Sequence, residues 1–391
     1  MLDTRTPALT AASGSQDADA ALLRPWEPEW VAALRATRHD VYHLPGYVDV
    51  DARRVGGQAV AYRYREGSRV LLQPLILRQV PGTDPDDHDA GPLPGPVLDA
   101  ISPYGYSGPV SDAPLADDGF WRRACEALPG CLAGAGVVSC FVRLHPLLPP
   151  RLDALARVGR LVQHGHTVTI DLRAEEQGQW AQVRPNHRRQ INRARRSGIT
   201  VSLDDWSRMG EFVDAYHETM TRVGASPEYF FDREYFGGLH AALGEGAHLA
   251  IAEREGEMLA GGLFLSHAGI LQYHLGATRT EHLPEQPIKL IFDDVRRWAG
   301  ELGWTDFHLG GGVGGSEDSL FHFKAGFSRD RPAFFTWRLV CDPDAYHRLV
   351  ERAGVPPDAG GHFPAYRAAA AASATHDRIG PADPGDPLGR Q

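Results

Sequence analysis

Lys289 and Lys324 are the only lysines in a chain of 391 residues that carries 40 Lys and Arg in all, so nearly every cation is a guanidinium. Beside a reacting atom, a compact ammonium that can surrender its proton does what the planar, permanently charged fork of Arg cannot. Lys324 stands in Leu320-Phe321-His322-Phe323-Lys324-Ala325-Gly326-Phe327, among three phenylalanines. Two readings are open for it. One is an ammonium placed for chemistry; the other is a buried stem whose head reaches water, in a chain where coding bias spared two lysines.

Upstream lies Gly310-Gly311-Gly312-Val313-Gly314-Gly315. It lacks the Lys-Ser or Lys-Thr ending of a P-loop and the spacing of a dinucleotide fingerprint, which argues against nucleotide hydrolysis. Five glycines after a strand permit close backbone approach to a ligand, with amides turned inward, or form a flexible turn with no ligand. Arg184-Pro185-Asn186-His187-Arg188-Arg189-Gln190-Ile191-Asn192-Arg193-Ala194-Arg195-Arg196 concentrates arginine in a protein of net charge -10. After Pro185 it suits an exposed helix in which only Ile191 and Ala194 pack inward. Its natural partner is a phosphate polyanion, either the pyrophosphate of a nucleotide-linked substrate or an RNA backbone; a solvated face is the other reading. Ser102-Pro103-Tyr104-Gly105-Tyr106-Ser107-Gly108-Pro109 reads as a loop lining a binding surface or simply packing. The 18 histidines show no metal-ligand spacing, the 4 cysteines form no Cys-x-x-Cys pair, and no Gly-x-Ser-x-Gly elbow occurs. These absences favour two bound substrates that react directly, held and polarised by the protein.

The elements that must position these groups are legible in outline. Ala61 to Leu77 reads as strand, turn, strand around Glu66-Gly67, and Leu249 to Leu265 repeats the pattern around Arg254-Glu255-Gly256, with a third strand from Ile270 to Gly276. Helical stripes run from Gly210 to Val223 and from Pro287 to Leu302, and Thr305 to Leu309 reads as a short strand entering the glycine loop. Strands flanked by helices, taken twice, give an α/β chain with mixed sheets, two lobes and a cleft between them. The expected boundaries are a disordered tail at 1–24, a first domain at 25–170, a second at 171–340, a C-terminal helix packing back at 341–367, and a disordered tail at 368–391. No window approaches the roughly 18 apolar residues of a spanning helix, and the sparse cysteines suit a cytoplasmic protein with reduced thiols. The acidic balance argues against DNA as a partner.

Taken together, Asp40-Val41-Tyr42-His43-Leu44-Pro45 with Tyr47, the loop at 102–109, the arginine segment, the helix opened by Pro287-Ile288-Lys289-Leu290, and His308-Leu309-Gly310-Gly311-Gly312 leading to Phe323-Lys324-Ala325-Gly326-Phe327 resemble the Fem family of aminoacyl-tRNA-dependent transferases. The resemblance spans most of residues 40–330. It implies two tandem GNAT-like domains and transfer of an aminoacyl group from charged tRNA to an amine, as in peptidoglycan cross-bridges or peptide-like natural products. It implies that Lys324 is the catalytic lysine, and that Tyr104, Tyr106 and Ser107 belong to the loop contacting the acceptor. Arg184, Asn186, Arg188 and Arg189 fall where a phosphate-bearing substrate is expected. Tyr273, Lys289, Gly310, Gly311, Gly312 and Phe323 complete the substrate-binding set. No metal or cofactor is implied beyond aminoacyl-tRNA as co-substrate and a small amine or peptide acceptor, possibly nucleotide-linked. Two departures stand out. No heptad-rich insertion is present, which fits a compact form without the coiled-coil arm, and the Gln-x-x-Gly-x-Gly/Ala signature of coenzyme A-dependent relatives is missing. An acyl-CoA-dependent N-acyltransferase and a non-catalytic ligand-binding protein are the alternatives.

Overall fold

The computed structural model describes residues 18–83, 97–356 and 362–368. The described residues form two compact units, one from 18–163 together with 335–368, the other from 164–334.

In the first unit the order is β1 (Ala18–Leu23), α1 (Pro28–Ala36), α2 (Pro45–Arg54), β2 (Gln58–Glu66), β3 (Arg69–Gln79), β4 (Leu98–Ile101), β5 (Val110–Ser111), α3 (Asp118–Gly134), β6 (Val137–Arg143), α4 (Leu152–Val158) and β7 (Arg160–His166). β2 and β3 are the first predicted hairpin, paired in register from Gln58 with Leu77 to Glu66 with Arg69. α3 is the crossover that lets β4 and β6 run parallel. Its buried Phe120, Trp121, Ala124, Leu128 and Leu132 recur every three or four residues and face the sheet, and the Asp117 carboxylate caps it by accepting from the Phe120 amide.

The second unit continues with β8 (Val168–Asp171), α5 (Glu176–Gln182), α6 (Pro185–Arg196), β9 (Thr200–Leu203), α7 (Met209–Arg222), α8 (Arg233–Leu243), β10 (Ala247–Arg254), β11 (Glu257–His267), β12 (Ile270–Thr278), α9 (Pro287–Glu301), β13 (Asp306–Gly310) and α10 (Ser319–Lys324). Its sheet has the order β8-β13-β12-β11-β10-β9. Only β12 and β13 in it run parallel, and α9 provides the crossover between them. Ile288, Ile291, Phe292, Val295 and Ala299 of α9 bury against Phe264, Phe307 and Leu309 of the sheet. This packing fixes where β13 ends, and so where the glycine loop and α10 begin.

The chain then forms β14 (Ala333–Val340) and α11 (Pro343–Arg352). Two boundaries differ from the sequence-based expectation. Residues 18–23 lie in the segment assigned to a tail, yet they pair with β2 along their whole length; residues 1–17 and 369–391 lie outside the described residues. The second unit closes at 334 rather than 340, because Thr336–Val340 pair with Arg143–Ser139 of β6 and complete the first sheet, β1-β2-β3-β4-β6-β14-β7. α11 follows it into the first unit, where Ala345, Leu349 and Val350 bury with Val80, Val138 and Tyr366. Among the described residues the longest helix is α3, at 17 residues, and no helix is long and apolar enough to cross a membrane.

Candidate active site

Asp318 sets the geometry around Lys324. One carboxylate oxygen accepts from the Phe321 amide at 2.9 Å and so caps α10; the other accepts from the Val313 amide at 2.9 Å and so pins the glycine loop. A Cβ on Gly312 would stand 2.2 Å from the same carboxylate, so only glycine lets the loop come this close. With loop and helix locked, Lys324 is buried and its Nζ donates to the Gly311 carbonyl at 2.7 Å. The Tyr273 ring centroid lies 5.5 Å from the same nitrogen. Burial pushes the Lys324 ammonium down to about 7, partly opposed by the Asp318 charge. An amine with such an affinity holds and releases a proton near neutrality.

The glycine loop differs from expectation in one respect. Its amides at Val313, Gly315 and Ser316 are spent on Asp318, Gly312 and Val313, and what it turns towards Lys324 is the Gly311 carbonyl. The hydrogen-bond donor present at this point is therefore Nζ, not these amides.

The depressed proton affinity of Lys324 has a measurable consequence for stability. Below pH 7 both folded and unfolded chains carry the proton, and burying the charge costs the folded state roughly 4–5 kcal/mol. Between about 7 and 10.5 only the unfolded chain binds it, so stability rises with pH across that window. Lys324→Met is accordingly expected to be most stabilised relative to the parent below pH 7, and the difference should narrow by about 1.4 kcal/mol per pH unit above it. Urea midpoints of both proteins at pH 6, 8 and 9 measure this; a difference independent of pH would contradict a buried, titrating Lys324.

The structure brings several other predicted residues to the same unit. Lys289, on the first turn of α9, is buried; its Nζ donates to the Gln190 side chain at 2.5 Å and stands 5.6 Å from the Phe323 ring centroid. Tyr273 packs edge-on against Phe292 at 4.6 Å. Arg184 reaches the His322 carbonyl at 3.3 Å, while Arg189 reaches the Asn186 side chain at 3.4 Å. Gly310 is the last residue of β13, opposite Val168. Tyr104, Tyr106 and Ser107 belong to the first unit. There Tyr47 donates to the Tyr104 carbonyl at 2.7 Å, Asp51 accepts from the Tyr104 amide at 2.7 Å, and Tyr106 stacks edge-on against Tyr42 at 6.3 Å.

Of the six arginines between 184 and 196, one is structural. Arg195 bonds Asp293 at 2.6 Å and also pairs with Asp294, tying α6 to α9. Sequence reasoning assigned only Ile191 and Ala194 to the buried side of α6 and missed His187, which is 7% exposed. Its Nε2 bonds the Phe323 carbonyl at 3.0 Å and its ring packs against Phe323 and Phe327 at centroid distances of 5.7 and 4.9 Å. Burial and the neighbouring Lys289 charge push His187 down to about 4, so it is neutral at physiological pH. Nothing in a run of arginines marks this histidine; the one signal was Gly326, whose missing side chain makes room for the ring.

As for metals, Glu257, Glu281 and His282 bring potential ligand atoms within 4.8 Å of one another. His282 spends Nδ1 on Glu285 at 3.0 Å and Nε2 on Glu257 at 3.2 Å, which reads as an ion-pair cluster.

Residues 181–324, the stretch that contains this site, match a family model described as an acetyltransferase (GNAT) domain. Among solved structures the chain is similar to FemX, at 14% identity and a TM-score of 0.63, with 82% of this chain and 97% of that one covered. It is also similar to the C-terminal domain of a putative lysylphosphatidylglycerol synthetase from Agrobacterium fabrum (15% identity, TM-score 0.48, 79% and 92% covered) and to a tandem GNAT protein from the clavulanic acid biosynthesis pathway (12% identity, TM-score 0.43, 84% and 99% covered). No curated protein matches the sequence. The chain thus shares the fold of FemX, and the match to an acetyltransferase (GNAT) domain falls within its second unit.

Proposed function

We propose that this protein transfers an aminoacyl group from aminoacyl-tRNA to an amine acceptor and forms an amide. The observation that carries the reading is the buried Lys324, held 2.7 Å from Gly311 in the acyltransferase-type unit and poised to titrate near 7. In this reaction the acceptor nitrogen attacks the ester carbonyl, the carbonyl oxygen becomes an oxyanion, and the ribose oxygen leaves with a proton. Lys324 in its charged form donates to the oxyanion and can pass its proton to the leaving oxygen; the neutral amine then takes up the proton that the new amide nitrogen sheds. Ester and amine become amide and alcohol, with no other reactant consumed. One positioned donor of this kind supports roughly 100-fold or more in rate. The exposed arginines of α6 favour a polyanionic donor.

The matched acetyltransferase model favours a second reading, in which acyl-CoA is the donor. Binding separates them. Purified protein at moderate salt is expected to prefer charged tRNA over deacylated tRNA and over acetyl-CoA. Saturable binding of acetyl-CoA with indifference to tRNA would replace the first reading by the second.

A further inference from the structure

A pocket of about 260 Å³ opens beside the C-terminal end of α10, where the α5–α6 elbow meets the segment 325–331. Four guanidinium-bearing residues line it: Arg184 and Arg188 from α6, Arg329 and Arg331 from the opposite wall. No carboxylate lines it, and among the described residues none of these four arginines forms an ion pair. The walls are stitched together. The Gln182 side-chain oxygen accepts from the Ser328 hydroxyl at 3.3 Å and the Arg329 amide at 3.2 Å, and the Arg184 amide donates to the Gly326 carbonyl at 2.8 Å. Arg331 is anchored by the carbonyls of Ala325 at 2.9 Å, Ser328 at 2.6 Å and Asp330 at 2.8 Å, and its guanidinium lies 5.8 Å from the centroid of the Phe321 ring.

Four like charges around one cavity repel one another, and neutral carbonyls do not cancel them. Burial and the Arg184 charge together make the Arg331 guanidinium less willing to hold its proton, opposed in part by the Asp330 and Glu317 charges outside the pocket lining. An anion in the pocket relieves both. Forked guanidiniums match the paired oxygens of a phosphate, and the space holds a phosphate group with room for several waters of about 30 Å³ each. The positive end of α6 opens on the same space.

The geometry points to this pocket as a seat for a phosphate ester, with Arg329 and Arg331 as binding residues alongside Arg184 and Arg188. It deepens the donor reading above and rests on it for the source of the phosphate, which is the 3′ strand of tRNA. Because Ala325 lines the pocket and directly follows Lys324, an occupied pocket places the phosphate backbone against the segment that carries the lysine.

Arg188→Ala/Arg329→Ala removes two pocket cations whose side chains make no hydrogen bond or ion pair among the described residues. Arg53→Ala/Arg122→Ala removes the same formal charge from exposed pairs of the first unit and is the control. The probe is a labelled, uncharged RNA minihelix ending in CCA, titrated at several salt concentrations. The pocket variant is expected to bind at least tenfold more weakly, with a log–log salt slope smaller by between 1 and 2, at roughly 0.7–0.9 per lost phosphate contact. The control is expected to match the parent. Equal affinity and slope in pocket variant and parent, or an equal loss in the control, would overturn the site. Inorganic pyrophosphate as competitor assigns the occupant. Displacement of RNA from the parent but not from the pocket variant identifies a seat that also takes small diphosphates, and failure to displace identifies an RNA phosphodiester seat. The outcome is independent of turnover. Pocket-dependent RNA binding without aminoacyl transfer keeps the site and removes the donor reading, whereas transfer with unchanged binding in the pocket variant does the reverse.

Discussion

Lys324→Ala is expected to lower amide formation by about 100-fold while leaving a folded protein. The substitution removes the only ammonium at the α10 terminus and with it the donor placed to meet an oxyanion, a loss of the size seen when one such donor is deleted elsewhere. Lys324→Arg should recover little of it. Its planar fork is larger than the ammonium that stands 2.7 Å from the Gly311 carbonyl and 5.5 Å from the Tyr273 ring centroid, and a guanidinium does not release a proton near neutrality. The pair of variants therefore separates proton handling from bulk charge. The parent should also show an ionisation near pH 7 in kcat/KM that Lys324→Arg lacks. Transfer rates alongside circular dichroism melts are the measurements, and near-normal turnover in a folded Lys324→Ala would remove the lysine from the chemistry.

Gly326→Ala should rank next, through packing. A Cβ at this position would stand 2.3 Å from His187 Nε2 and 2.6 Å from two ring carbons. The ring has nowhere to go, since Phe323 and Phe327 pack against it and the Phe323 carbonyl holds Nε2 at 3.0 Å. Overpacking of this kind costs about 1–3 kcal/mol, and relief by backbone movement would shift the turn that carries Lys324, so more than a tenfold loss of activity is also expected. His187→Ala/Gly326→Ala should be less destabilised than the sum of the two single variants, because the smaller side chain vacates the space. Urea unfolding of the four proteins reads this directly; strictly additive losses would show that the ring and the glycine do not constrain each other.

How much of this was visible beforehand depends on the range of each interaction. The hairpins β2–β3 and β10–β11 and the helices α6, α7 and α9 were legible because their signals are local: apolar periodicity, a turn residue, a proline at the first helical position. Lys324 was legible through rarity, and the Phe-Lys-x-Gly-Phe motif through resemblance. The physical reason for the motif was not, because its explanation, His187, lies 136 positions from Phe323 in a segment that reads as polar. β1 was missed because its alanine-rich residues show no periodicity; its partner β2 defines it. β14 was read into the wrong unit because which sheet a strand completes is settled by pairing with β6, not by its own composition. Arg329 and Arg331 drew no notice as single arginines in an arginine-rich chain. They acquire meaning only when Gln182 and Ser328 bring them opposite α6. That the Val313 and Gly315 amides are spent inside the loop was not legible, because Asp318, itself a plain capping residue in sequence, claims the first and the Gly312 carbonyl the second.

The decisive experiment is a single-turnover chase: purified protein, tRNA carrying labelled amino acids, and a mixture of candidate amines, with the label followed from ester to amide in the parent and in Lys324→Ala. Rapid, amine-dependent appearance of labelled amide with the parent and its loss by about 100-fold in the variant is the predicted result. Ester that survives with the parent while acetyl-CoA acetylates the same amines would contradict aminoacyl transfer and make this protein a coenzyme A-dependent N-acyltransferase.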